Sequence, residues 1–346
     1  MHARLPVTIL MSDRAARLLE VRDLSVAYRV QRSAWAWPRI LRAVCNVSFD
    51  LAAGETLGIV GESGCGKSTL ARAITGLVPA SGGSISWHGR ALAEHAGAER
   101  RAVRRDMQMV FQDPCASLDP RMSVADIVAE PLEVFENALS RQERERRVAR
   151  ILERVGLSAT HLGRLPHQLS GGQCQRVAIA RALILGPRLL ICDEPVSSLD
   201  VSVQAQIVNL LRDLQRELGL SLIFISHNMA VVRQVSARVL VMYLGRVMEL
   251  GARDAVFDHP RHPYTRVLLA AVPANAPQAA PRRAARPLSA EIPSPLDPPP
   301  GCVFNTRCAW AVEQCRLQLP TMEQANAQVT AHASLQAVAC HRWREL

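Results

Sequence analysis

The chain has 346 residues, 49% apolar and 21% charged, which allows a sizeable buried core and excludes an intrinsically disordered chain. Its 41 basic and 31 acidic residues leave a formal charge of +10, suiting nucleic acid, an anionic membrane surface, a polyphosphate ligand, or simply a solvated arginine-rich surface. No stretch approaches the roughly 18 uninterrupted apolar residues of a membrane span: even Val177–Cys192 is broken by Arg181, Pro187 and Arg188.

The apolar run around Pro6 is too short and too interrupted for a signal peptide, so a cytosolic chain is expected, starting at Met1 or at Met11. From about residue 18 to 250, hydrophobic periodicity predicts alternating strands and helices. Strands are expected at Leu18–Tyr28, Leu57–Val60, Ser84–Trp87, Met107–Phe111, Leu189–Cys192, Leu222–Ile225 and Val239–Tyr243. Helices are expected after Gly66, Gly171, Asp200 and Asn228. This alternation predicts an α/β layer architecture with a mostly parallel sheet. Val124–Val134 and Arg141–Val155 read as consecutive helices without strands between them, a helical insertion in that core. Positions 273–300 hold nine prolines in 28 residues and should run extended. A tail over 301–346 follows, with four of the nine cysteines.

Of the 41 basic residues, 40 are arginine and one is lysine, Lys67, which singles out a position where a compact ammonium is needed. It lies in Gly61-Glu62-Ser63-Gly64-Cys65-Gly66-Lys67-Ser68, a G-x-x-x-x-G-K-[ST] match between an apolar strand and a helix. Glycines let consecutive backbone N–H groups face a phosphate, and the helix N-terminus adds partial positive charge. Lys67 can reach β- and γ-phosphates, and the Ser68 hydroxyl can ligate Mg²⁺. Further along, Leu189-Leu190-Ile191-Cys192-Asp193-Glu194 is a buried-strand pattern ending in two carboxylates. Asp193 suits a Mg²⁺ ligand, and Glu194 a base that polarises water for in-line attack.

Leu169-Ser170-Gly171-Gly172-Gln173 opens a helix shortly before Asp193. With the two sites above, it makes the chain resemble the ATP-binding cassette (ABC) ATPases, whose signature is LSGGQ. Further family elements fall in order. Gln112 resembles the Q-loop glutamine, Ser198-Leu199-Asp200 the D-loop and His227 the switch histidine, while Tyr28 is similar to the aromatic that stacks on adenine.

The resemblance implies an α/β ABC-type P-loop core with an antiparallel β subdomain and a helical subdomain at about 113–170. The cassette would span 18–272, preceded by an N-terminal extension over 1–17. A proline-rich linker and small cysteine-containing extension over 273–346 would follow it. The resemblance also implies ATP and Mg²⁺ as ligands, with Ser68, Gln112 and Asp193 around the metal. Nucleotide contacts would come from Tyr28, Gly61, Ser63, Gly64, Cys65, Gly66, Lys67, Ser68, Thr69 and Asp193. Two cassettes would pair head to tail, placing Ser170, Gly171, Gly172, Gln173 and Asp200 against the partner's nucleotide. Glu194 would then act as base, with His227 and Gln112 completing the catalytic set.

The stretches 111–122 and 193–204, His262-Pro263-Tyr264-Thr265-Arg266 and Pro299-Pro300-Gly301-Cys302 look like dipeptide/oligopeptide importer ATPases, more like the second of that group's two ATPase subunits. The implied partners are a second ATPase subunit, two transmembrane permease subunits and an extracytoplasmic peptide-binding protein, on the cytoplasmic face of a bacterial inner membrane. Relatives in this group also move nickel, glutathione or other small solutes, which stays an alternative cargo. An ABC ATPase acting on nucleic acid is the competing class. It has only the +10 charge in its favour, since the chain has one cassette and no long coiled coil or inserted zinc module.

Two residues depart from the group: Cys174, where a long polar side chain is usual, and Cys115, usually aromatic. Cys174 beside the partner's nucleotide is expected to make activity thiol-sensitive. In the tail, Cys302, Cys308, Cys315 and Cys340 are separated by five, six and 24 residues, looser than the usual zinc pairs. Some importers of this group carry a [4Fe–4S] cluster in the matching tail, and Cys₄ ligation suits it. Zinc and unligated thiols are the other readings.

Overall fold

The computed structural model describes residues 17–31, 37–271, 291–325 and 336–346. The expected extension over 1–17 (apart from Arg17), the choice of start codon and most of the proline-rich stretch lie outside these. The described part of that stretch, 291–300, contains neither helix nor strand.

The elements in chain order are β1 (Arg17–Val30), β2 (Arg39–Ala52), β3 (Thr56–Val60), α1 (Lys67–Ile74), β4 (Gly82–Trp87), β5 (Arg90–Ala91), α2 (Gly97–Asp106) and β6 (Met107–Val110). There follow α3 (Val124–Phe135), α4 (Arg141–Arg154), α5 (Gly171–Leu183), β7 (Leu189–Asp193), α6 (Val201–Leu218), β8 (Ser221–Ser226) and α7 (Met229–Val235). The chain continues through β9 (Arg238–Tyr243), β10 (Arg246–Ala252), α8 (Arg253–Asp258), α9 (Pro263–Ala270), α10 (Glu313–Leu317), β11 (Glu323–Gln324) and β12 (Gln336–Val338).

Every strand and helix expected from periodicity is present, with ends shifted by a residue or two. Six elements of five residues or more were not expected from periodicity: β2, β10, α2, α8, α9 and α10. In β2 the alternation is interrupted at Asn46, which has φ 51°, so its buried set, Val44, Val47, Phe49 and Leu51, does not keep one register.

The chain divides into two compact units. The first combines 1–51, 57–89 and 227–346. It holds an antiparallel layer in the order β2-β1-β4, in which Leu19 faces Trp87 and Val21 faces Ile85. It also holds strands in the order β11-β12-β10-β9-β3. There β3 runs parallel to β9, with Ile59 opposite Leu240, while β10 pairs antiparallel with both β9 and β12. The tail is therefore stitched into the cassette by a ladder that puts Leu250 opposite Ala337.

The second unit combines 52–56 and 90–226. Its parallel strands run β8-β7-β6, and α3 packs on α4 and α5. Every residue of β3, β7 and β8 is buried, which is why they read as unbroken apolar runs rather than alternating ones.

Candidate functional site

In the first unit, β3 ends at Val60 and the chain turns through residues 61–66 into α1, which begins at Lys67. Two glycines are required by close approach. A Cβ at Gly61 would lie 2.2 Å from the Met242 carbonyl oxygen, and one at Gly66 2.1 Å from that of Ala43. Gly66 is also the N-cap of α1, at φ 105°, and supplies no side-chain cap. The start of α1 is thus the positive end of a helix without a side-chain cap, where a negative charge is favoured. Lys67 is buried, and its Nζ donates to the carbonyl oxygens of Gly61 at 2.8 Å and Glu62 at 3.0 Å. Burial pushes the Cys65 thiol up, while the Lys67 ammonium pulls it down. Ser63 and Gly64 are exposed at the loop tip, and Ser68 and Thr69 occupy the first turn of α1. A glycine-lined turn, an uncapped helix start and a curled-back ammonium fit a phosphate group. Tyr28 is half-buried near the end of β1, and His227 is exposed just before Asn228, which caps α7 through bonds from Ala230 N and Val231 N.

The loop also receives the C-terminal tail, which sequence reasoning missed. Arg307 donates to both carboxylate oxygens of Glu62, at 2.6 and 2.9 Å, and Tyr264 Oη accepts from Glu62 N at 2.9 Å. No spacing rule signals these contacts, because the partners lie 245 and 202 residues apart.

In the second unit, Asp193 is the fully buried last residue of β7. Glu194 follows at φ 49°, a left-handed conformation that costs a non-glycine residue energy and is concentrated at functional sites. It is held there by Glu194 N donating to the Ile225 carbonyl at 3.0 Å, and Gln112 Nε2 donates to Glu194 Oε2 at 3.2 Å. The structure thus brings together two of the residues expected to act in catalysis.

Ser170 caps α5 in a capping box: its Oγ accepts from Gln173 N, and Gln173 Oε1 accepts from Ser170 N. Gly171, exposed, and Gly172, half-buried, begin α5, and a Cβ at Gly172 would meet Val203 Cγ1 at 2.6 Å. Asp200 precedes α6, whose first residue, Val201, is 83% exposed.

Cys174 is fully buried, and burial together with the neighbouring Cys115 thiol raises it to about 12. The expected thiol sensitivity at Cys174 is therefore corrected: a buried, protonated thiol is a poor nucleophile. Cys115 is the exposed member of the pair.

In the tail, Cys302, Cys308, Cys315 and Cys340 line one cavity together with His262 and His341. Burial lifts Cys302 to about 12 and Cys308 to about 11. Among the described residues, however, no set of three or more His, Cys, Asp or Glu side chains is arranged to hold a metal ion. No helix among them is long and apolar enough to cross a membrane.

Comparison with known proteins bears on both ends of the chain. Residues 44–197 match the ABC transporter family, and residues 248–315 match the oligopeptide/dipeptide transporter C-terminal region. The oligopeptide transport ATP-binding protein OppF of Escherichia coli is 54% identical over 309 residues, 88% of this chain and 92% of that protein. The di/tripeptide transport ATP-binding protein DppF of Pseudomonas aeruginosa is 47% identical over 324 residues, 94% of this chain and 97% of that one. Among solved structures, an ATP-binding cassette captured as a post-hydrolysis dimer with ADP and Pi superposes with TM-score 0.61 at 30% identity, over 68% of this chain and 98% of that one. An anion-ready loop, a buried Asp193 followed by a strained Glu194, and a capped LSGGQ helix thus coincide with extensive similarity, and the chain belongs to the ABC transporter ATP-binding family, in its oligopeptide/dipeptide branch.

Proposed function

We propose that the chain is the ATP-hydrolysing subunit of an importer for dipeptides or oligopeptides, working head to tail with a second ATPase subunit. Two permease subunits and an extracytoplasmic peptide-binding protein would complete the machine, holding this chain at the cytoplasmic face of the inner membrane. The observation that carries the reading is one chain joining a phosphate loop, a β7–Glu194 turn and an LSGGQ cap to the C-terminal region of oligopeptide/dipeptide transporters. The domain reading that goes with it is a cassette over 18–272, its helical subdomain at about 113–170, and an extension over 273–346.

In this reading the N–H groups of the 61–68 loop bind the phosphates, and Lys67 leaves the Gly61 and Glu62 carbonyls for the β- and γ-phosphate oxygens. Tyr28 stacks on the adenine. Ser68, Gln112 and Asp193 would hold Mg²⁺, which when bound neutralises phosphate charge. Glu194 accepts a proton from the attacking water, Gln112 orients the Glu194 carboxylate, and His227 positions the water. The α5 N-terminus, with Ser170, Gly171, Gly172 and Gln173, serves the partner's nucleotide, and Asp200 lies on the same face of the pairing.

For the tail, the reading is a [4Fe–4S] cluster on Cys302, Cys308, Cys315 and Cys340. What supports it is that the four cysteines line one cavity. Anaerobic purification followed by iron and sulfide analysis tests it: an iron-free, colourless protein removes the cluster.

The transport reading is tested by replacing Glu194 with Gln on the chromosome and following uptake of a labelled dipeptide, a labelled longer peptide and nickel. Loss of peptide uptake with nickel uptake intact is expected. Intact peptide uptake would leave an ABC ATPase with another cargo.

A further inference from the structure

Glu62 is the second residue of the phosphate loop, and each of its polar groups has a partner in the same unit. Its carbonyl accepts from Lys67 Nζ at 3.0 Å, its N–H donates to Tyr264 Oη at 2.9 Å, and its carboxylate takes the two-pronged Arg307 bond. Two of these three partners come from the C-terminal part of the chain. Arg307 belongs to the turn between Cys302 and Cys308, where its N–H donates to the Phe304 carbonyl at 3.1 Å. Its side chain is only 4% exposed, and its guanidinium lies over the rings of Tyr243 and Phe304, 5.7 and 5.9 Å from their centroids. Tyr243, Tyr264 and Phe304 pack on one another at 4.8–5.4 Å, so the arginine is walled in by aromatics and has little freedom.

A guanidinium fork matches a carboxylate in one orientation, and the bond is strong where water is excluded. Glu62 carries a negative charge in a loop built for a polyanion. Left alone, that charge would repel phosphate; neutralised and locked by Arg307, it becomes a fixed strut that sets the path of the loop backbone.

We propose that Arg307 is a positioning residue of the phosphate loop, so that the C-terminal extension is a structural part of the nucleotide site. This rests on the reading of residues 61–68 as the ATP site. The side chain need not touch nucleotide: it acts through Glu62, and Tyr264 holds the same residue by its backbone.

The test is the dissociation constant of MgATP, with KM and kcat for ATP hydrolysis, measured on the full chain for Arg307→Ala, Arg307→Lys, Glu62→Gln and the double variant Arg307→Ala/Glu62→Gln. Arg307→Ala is expected to raise Kd and KM about tenfold or more, with kcat at saturating ATP within about threefold, as loss of a charge-assisted pair implies. Arg307→Lys keeps the charge without the fork and should fall between. The double variant should be less impaired than the two single effects multiplied, because the residues act as one pair. Arg307→Ala that folds and binds MgATP within about twofold of wild type would overturn the proposal, as would independent, multiplicative effects of the two changes. If Arg307→Ala does not fold, Arg307→Lys and Glu62→Gln decide by the same criteria. Lys67→Ala is measured alongside: loss of MgATP binding there upholds the nucleotide site whatever Arg307 does, whereas wild-type binding would remove the reading on which the proposal stands.

Discussion

Gln112 Nε2 donates to Glu194 Oε2 at 3.2 Å, joining the loop after β6 to the end of β7, and the glutamate it meets holds φ 49°. An amide donor steadies the carboxylate without taking its charge, which is what a base awaiting a water needs. Glu194→Gln should therefore keep MgATP binding near wild type while hydrolysis falls about 10²- to 10⁴-fold. Equilibrium nucleotide binding and steady-state phosphate release measure the two separately, and near-normal turnover would take Glu194 out of the role.

The left-handed backbone at Glu194 makes a second, independent prediction. Alanine normally outdoes glycine in stability, but at positive φ the Cβ penalty reverses the order. Glu194→Gly should be more stable than Glu194→Ala by about 1 kcal/mol, both being inactive. Urea midpoints of the two variants give the answer, and the ordinary ranking would show that the turn relaxes.

Cys115 and Cys174 are neighbours of opposite character, one exposed and one fully buried with its thiol raised to about 12. At pH 8 the buried Cys174 thiol is held in its protonated form, which is a poor nucleophile. Brief maleimide treatment of the folded protein should modify Cys115 and spare Cys174, read by peptide mass spectrometry. Rapid labelling of Cys174 would mean that the α5 N-terminus opens readily.

His262 caps α9 by accepting from Tyr264 N through Nδ1 at 3.0 Å, and its burial lowers it to about 3 from 6.5. A histidine depressed in the folded state binds more protons when unfolded, so stability rises with pH between about 3 and 6.5 and is lost on acidification through that window. The contribution reaches about 1.4 kcal/mol per pH unit. Glu249 acts in the opposite sense, since burial raises it above 4.5 and its contribution falls as pH rises past that value. His262→Asn, which keeps an acceptor for the cap, should flatten the loss of stability between pH 6.5 and 5, followed by urea unfolding at each pH. An unchanged slope would assign the acid sensitivity to other groups.

Legibility followed the range of the interaction. The 61–68 loop, the helix start at Leu169–Gln173 and the buried strands β3, β7 and β8 were readable because each is decided by consecutive residues: a turn that needs glycine, a five-residue signature, an apolar run. β2 was not readable, because Asn46 at φ 51° breaks the alternation that marks a half-buried strand. The cysteines divided the same way. Their number and tail spacing were visible, but the burial that silences Cys174 and the single cavity shared by the four tail thiols depend on packing of distant segments.

The sequence by itself determined the cassette, its order of motifs and its branch of the family, since these are carried by short runs whose chemistry is local. Only the tertiary structure decided that Arg307 and Tyr264 grip Glu62, that Glu194 sits strained beside Gln112, and that β12 extends the strand order of β10. The physical reason is chain entropy: a contact 245 residues apart leaves no periodicity in the sequence and exists only once the intervening fold has brought its two ends together.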